Sequence, residues 1–301
     1  MQFSVGLPTD RVDAASEFVT GGAVAEMARA AEAAGFSACY VTDHPCPDDR
    51  WLATGGHHAL DPMVVLATAG AATTTLRLQT HVFILAYRNP FLSAKSVLSL
   101  DRMSNGRVIL GVASGYLRPE FGALGVEFDE RNELTDEAID TMVAIWTTDG
   151  VAIEGRHFRA RGATMAPHPV AQPHPPIWIG GNSKLAIRRA VERGQGWLPF
   201  PNPQAASRAL KTPKLESVAD LKERLDYAHE HAQTVGRTEP LDVCCALFSR
   251  SLGRSVELGA QRDELAELAE LGVGWVTIGF PADTRAEWRT QLDQFAHDLI
   301  G

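Results

Sequence analysis

Two hydrophobic periods alternate about eight times along this 301-residue chain, and that alternation constrains its fold more than any other feature. Short β-rich runs fall at Phe3–Leu7, Ala38–Thr42, Leu76–Leu85, Val108–Ala113, Ile177–Gly180, Gly196–Phe200, Asp242–Phe248 and Trp275–Phe280. Between them the apolar residues recur at helical spacing. Val24, Met27, Ala28 and Ala31 line one such face, which ends at Gly35, a residue suited to the left-handed C′ position. Asn89 and Pro90 read as an N-cap followed by the first helical residue. Ile139, Met142, Val143 and Trp146 form a third apolar face. Thr284 and Glu287 have the spacing of a capping box, ahead of Trp288, Leu292, Phe295 and Leu299.

Strand–helix alternation of this length suits a (β/α)8 TIM barrel. An open doubly wound sheet competes, but it normally carries a G-x-G-x-x-G turn after its first strand. Here that strand runs into Gly6-Leu7-Pro8-Thr9-Asp10, so the barrel is the expectation. Two segments break the alternation, Pro45–Leu60 after strand two and Asp149–Pro176 before strand five. They read as insertions in one domain spanning residues 1–301.

Charge and composition narrow the function. A net charge of −9 argues against a nucleic-acid partner. The longest apolar run, Val82 to Tyr87, is too short to span a bilayer, and the N-terminal residues carry no secretory pattern, so a cytoplasmic protein is expected. Cys39, Cys46, Cys244 and Cys245 make no metal spacing, and three of them sit in strand-like runs where cysteine packs as a small apolar residue. No metal site is expected: His44 and the His57–His58 pair are the nearest cluster, and adjacent strand residues point apart. No G-x-S-x-G nucleophile motif is present.

In a barrel the chemistry sits at the strand C-termini. Strand two ends in Asp43 and His44, then meets Pro45 and Pro47. The plain alternative is a loop-capping aspartate beside a surface histidine. Strand three carries Thr80 and His81 inside an apolar run, and His81 also fits a satisfied core histidine. Strand four closes on Ala113-Ser114-Gly115 before Tyr116, small residues that admit a flat ligand or simply make a tight turn. Strand five runs into Gly180-Gly181-Asn182 and a helix with Lys184, Arg188 and Arg189. Unpaired amides at such a helix start suit a phosphate, although the same triplet also makes a turn and cap.

Together these segments resemble the luciferase-like monooxygenase superfamily, flavin- and deazaflavin-dependent TIM-barrel oxidoreductases, with the closest likeness to its F420-dependent branch. The resemblance covers essentially the whole chain. It implies that Asp43 and His44 lie beside a deazaflavin ring, with His44 catalytically implicated. It implies a non-prolyl cis bond between His81 and Val82 behind the ring, with Thr80 adjoining. It implies cofactor contacts at Ser114 and Gly115, and a phosphate turn at Gly180, Gly181 and Asn182.

Two departures stand out. Sugar-phosphate members of the branch place a glutamate proton carrier where this chain has Tyr116, which becomes a second candidate proton donor. Their tryptophan shortly after the histidine is Asp48 here, with Trp51 further on. F420 is the implied cofactor, with FMN the alternative, and a small organic molecule the implied substrate. A barrel that binds flavin without turnover is a third reading. Lys184, Arg188, Arg189, Lys211 and Lys214 would form a basic strip for the anionic tail of F420. Dimers are common in this superfamily, so a homodimer belongs to the same expectation.

Overall fold

The computed structural model describes residues 1–208, 211–253 and 257–301. Eleven strands occur among them: β1 (Gln2–Gly6), β2 (Ala38–Val41), β3 (Arg77–Thr80), β4 (Phe83–Ile84), β5 (Val108–Ala113), β6 (Val151–Glu154), β7 (Arg159–Ala163), β8 (Ile177–Gly180), β9 (Gly196–Leu198), β10 (Asp242–Ala246) and β11 (Trp275–Ile278). Eight of them pair in parallel in the order β3-β2-β1-β11-β10-β9-β8-β5, and β5 returns to β3 to close the barrel. The closed (β/α)8 barrel expected from the alternation is therefore present.

The third apolar run is not one strand. It divides into β3 and the short β4, which continues along β5 past a cis peptide between His81 and Val82. The two irregular segments take local structure of their own. The first holds a short helix, Asp49–Ala53, and the second an antiparallel hairpin of β6 and β7.

Strand alternation separates two cores. Outward residues such as Val5, Cys39, Leu78, Leu110 and Ile179 pack with the surrounding helices in one large cluster. Inward residues Ala38, Ile109, Trp178, Leu198, Cys244 and Trp275 fill the barrel. Trp178 and Trp275 meet edge to face, 5.3 Å between ring centroids, and plug its lower part. Cys39, Cys244 and Cys245 are buried, the packing role expected of them.

The helix ends follow the expected chemistry. Asn89 accepts from the Phe91 and Leu92 amides above Pro90, Thr284 and Glu287 form a reciprocal capping box, and Gly35 takes φ +85° beyond the first long helix. Among the described residues no helix is long and apolar enough to cross a membrane.

Candidate active site

The inward positions that follow the tryptophan plug are small at several strand ends: Gly6, Gly180, Ala246 and Gly279. A Cβ on Gly6 would sit 2.9 Å from the Tyr40 hydroxyl, so that glycine makes room for the phenol. A cavity of about 800 Å³ opens here, lined by the ends of β1, β2, β10 and β11 and by His57 of the first insertion. That is the volume of a small-molecule site, typically ~300–1,000 Å³.

His44 lies next to it. Pro45 and Pro47 restrict the backbone immediately beyond the histidine. Asp48 then caps the helix Asp49–Ala53 by accepting from the Arg50 and Trp51 amides, which places Trp51 on its first turn. Gly55, at φ +95°, turns the chain back, and Gly56 lies so close under Trp51 that a Cβ would meet the indole at 2.4 Å. The result is an aromatic cluster. His44 stands 4.5 Å from Trp51, 4.9 Å from His57 and 6.0 Å from Tyr116, measured between ring centroids.

The fifth member of this cluster is a carboxylate. Glu120, 2% exposed, brings Oε2 to 3.2 Å from His44 Nδ1 and accepts from the Cys46 amide at 3.3 Å. With the carboxylate ionised, the bond runs from Nδ1–H to Glu120 and leaves the lone pair on Nε2. An imidazole held in that tautomer can accept a proton at Nε2. Burial, and then the charge of Glu120, push the Tyr116 phenol up to about 12. Burial, followed by the neighbouring His44, lowers the His57 pKa and favours its neutral form.

Asp43 faces elsewhere. It is 4% exposed, pairs with both terminal nitrogens of Arg88 at 2.8 and 3.0 Å, and accepts from the Ile84 amide. Its carboxylate ties β2 to the segment after the cis bond, and the expected contact with a ring edge finds those oxygens already engaged. Thr80 is also corrected. It is fully buried on the outward side of β3 and donates its hydroxyl to the Gly111 carbonyl at 2.7 Å, which leaves it no direction toward the mouth. The bond between His81 and Val82 is cis, as the resemblance implied. His81 packs at a tilt against Tyr40, centroids 4.9 Å and planes 54° apart, and its Nδ1 is sealed without a partner among the described residues.

A second polar region lies at the ends of β5 and β8. Gly115 takes φ +78°, and a Cβ there would come within 2.8 Å of Ile84. Gly180 packs beneath Val82, and Gly181 turns the chain at φ +119°. The amides expected to be unpaired are not. Gly181 donates to Leu198 O at 3.2 Å and Asn182 to the Thr212 hydroxyl at 3.0 Å. The Asn182 side chain is equally occupied, bonding Phe200 and Pro213, so it clamps the following loop instead of facing a ligand. Ser183 caps the helix Lys184–Arg193, and the amides without intrahelical partners are those of its first turn.

The basic strip is interrupted. Arg188 is exposed, but Arg189 is 4% exposed and points inward. Lys184 lies over the Tyr227 ring, Lys211 over Phe128, and Lys214 faces Glu216 at 3.4 Å.

Sequence reasoning had missed Glu120, Arg88 and the inward turn of Arg189. The available signal for Glu120 was its place in the first turn of the helix Arg118–Ala123, which follows the end of β5. In the sequence alone His57 reads only as a candidate metal ligand beside His44.

A closed eight-stranded parallel barrel with a carboxylate–imidazole pair at its strand C-termini defines a (β/α)8 enzyme scaffold. A family model described as luciferase-like monooxygenase matches residues 1–249, and the chain belongs to that family of oxidoreductases. An uncharacterized protein of Mycobacterium tuberculosis is 29% identical over 293 residues, covering 91% of this chain and 93% of the relative. The oxygenating constituent of 3,6-diketocamphane monooxygenase from Pseudomonas putida, solved with FMN, superposes with a TM-score of 0.76 at 16% identity, covering 99% of this chain and 98% of that one. The coenzyme F420 dependent tetrahydromethanopterin reductase of Methanopyrus kandleri gives 0.74 at 16% identity, with the same coverage. Both structural likenesses are likenesses of fold.

Proposed function

We propose that this chain is an F420-dependent oxidoreductase that exchanges a hydride between the deazaflavin and a small organic substrate. The observation that carries the reading is the His44–Glu120 pair beside the glycine-lined mouth. When bound, the deazaflavin supplies the hydride chemistry, as redox cofactors do. The residues present leave room for such a group: the cavity of about 800 Å³ at the barrel mouth is lined by the small residues Gly6, Ala246 and Gly279.

The protein's part is then positioning and proton handling. Glu120 holds the imidazole in one tautomer, and Nε2 of His44 takes or returns the proton that accompanies the redox change at the substrate. Trp51, Tyr116 and His57 wall the imidazole off from bulk water. Tyr116, with its pKa raised, serves as a neutral hydrogen-bond donor. The Lys184 and Leu185 amides at the start of the helix after β8, with Ser114 and Gly115, are the donors we assign to a cofactor phosphate.

Fluorescence titration of the purified protein with F420 and with FMN tests the assignment. Tighter binding of F420 supports it. Tighter binding of FMN overturns it in favour of a flavin-dependent monooxygenase.

A further inference from the structure

Arg189 belongs to the helix after β8, yet its guanidinium reaches both the helix Arg131–Thr147 and the loop after β5. Nε and Nη2 grip Asp136 at 2.6 and 3.3 Å, Nη2 also donates to the Asn132 carbonyl at 3.2 Å, and Nη1 donates to Ser114 Oγ at 3.0 Å. With the side chain 4% exposed, the arginine is held between two elements and cannot reach a cofactor tail in solvent.

The direction of the last bond has a consequence. A serine hydroxyl has one proton to donate and two lone pairs. A guanidinium can only donate, so it occupies a lone pair of Ser114 and leaves the hydroxyl proton directed elsewhere. Ser114 donates that proton to no acceptor among the described residues. The serine sits beside Gly115, whose φ of +78° ends β5 at the barrel mouth. A hydroxyl whose lone pair is engaged by a fixed guanidinium is oriented as a donor, and such a donor is matched to an anionic oxygen.

Building on the F420 reading above, we infer that Arg189 is a positioning residue which sets the Ser114 hydroxyl as a donor to the cofactor's phosphate. Asp136 in turn fixes the guanidinium. A surface aspartate, a buried arginine and a loop serine thus form one relay that ends at the ligand.

The test uses pairs of ligands that differ only in phosphate: F420 against its phosphate-free deazaflavin nucleoside, and FMN against riboflavin. Ser114→Ala should weaken the phosphorylated member about tenfold or more, the scale of one hydrogen bond to a charged group. The phosphate-free member should bind as it does to the parent. Arg189→Met should reproduce that selective loss, and Arg189→Lys should recover part of it. Equal weakening of both ligands, or no change in Ser114→Ala, overturns the inference. If Arg189→Met does not fold, Ser114→Ala together with Asp136→Asn decides the matter, because neither removes the buried cation. Failure of the parent to bind any of the four ligands would overturn the cofactor reading itself, a result distinct from loss of phosphate selectivity.

Discussion

His44 Nδ1 lies 3.2 Å from Oε2 of Glu120, a buried carboxylate 76 residues further along the chain. The bond joins the end of β2 to the helix Arg118–Ala123 after β5, and it leaves Nε2 as the basic nitrogen. Glu120→Gln keeps the shape and removes the charge that holds this tautomer. Turnover should fall by ~100-fold, at the lower end of what general acid–base groups contribute. Cofactor affinity should change little. Steady-state kinetics and a fluorescence titration on the same variant check both halves.

Tyr116 presents the opposite case. Its phenol is pushed up to about 12, so it is neutral and a poor proton carrier near pH 7. Tyr116→Phe should lower turnover by less than about tenfold, whereas His44→Ala should reach the full range for a proton carrier. A collapse in Tyr116→Phe with His44→Ala nearly active would exchange the two roles.

Asp43 and Arg88 form a two-pronged ion pair in which the carboxylate is buried and the guanidinium mostly so. Removing one partner leaves the other buried and uncompensated, a loss of about 3–5 kcal/mol. Asp43→Asn should lower the urea midpoint accordingly, and Arg88→Met should do the same. A variant as stable as the parent would show that the pair does not hold the β2–β4 junction together.

His81 carries a pH signature. Burial lowers its pKa from 6.5 to about 4, so the folded state keeps it neutral where the unfolded chain takes up a proton. Between those values the unfolded state binds more protons at this site, so the contribution of His81 to stability falls as pH drops from about 6.5 toward about 4. His57, also lowered, acts in the same direction. Urea unfolding at pH 7 and pH 5 should show the loss, and His81→Gln should reduce it. An unchanged slope in that variant would remove His81 as its source.

The barrel was legible because each of its signals is local. Period-two runs, helical faces and caps such as Asn89 and Thr284 are set by neighbours within a few residues, and they formed as expected. The sequence likewise determined that Asp43 and His44 stand at a strand end and that Gly181 makes a turn, because proline and glycine restrict or free the backbone wherever they occur. What those side chains face was decided only by tertiary structure. Glu120 reaches His44 across 76 residues, Thr212 takes the Asn182 amide across 30, and Arg189 turns from the surface to Ser114 across 75. Each is a polar group that had to find a partner once the fold removed it from water. Which partner lay within hydrogen-bonding distance depended on how β2, β5 and β8 were brought together in the closed barrel, and a linear pattern does not carry that distance.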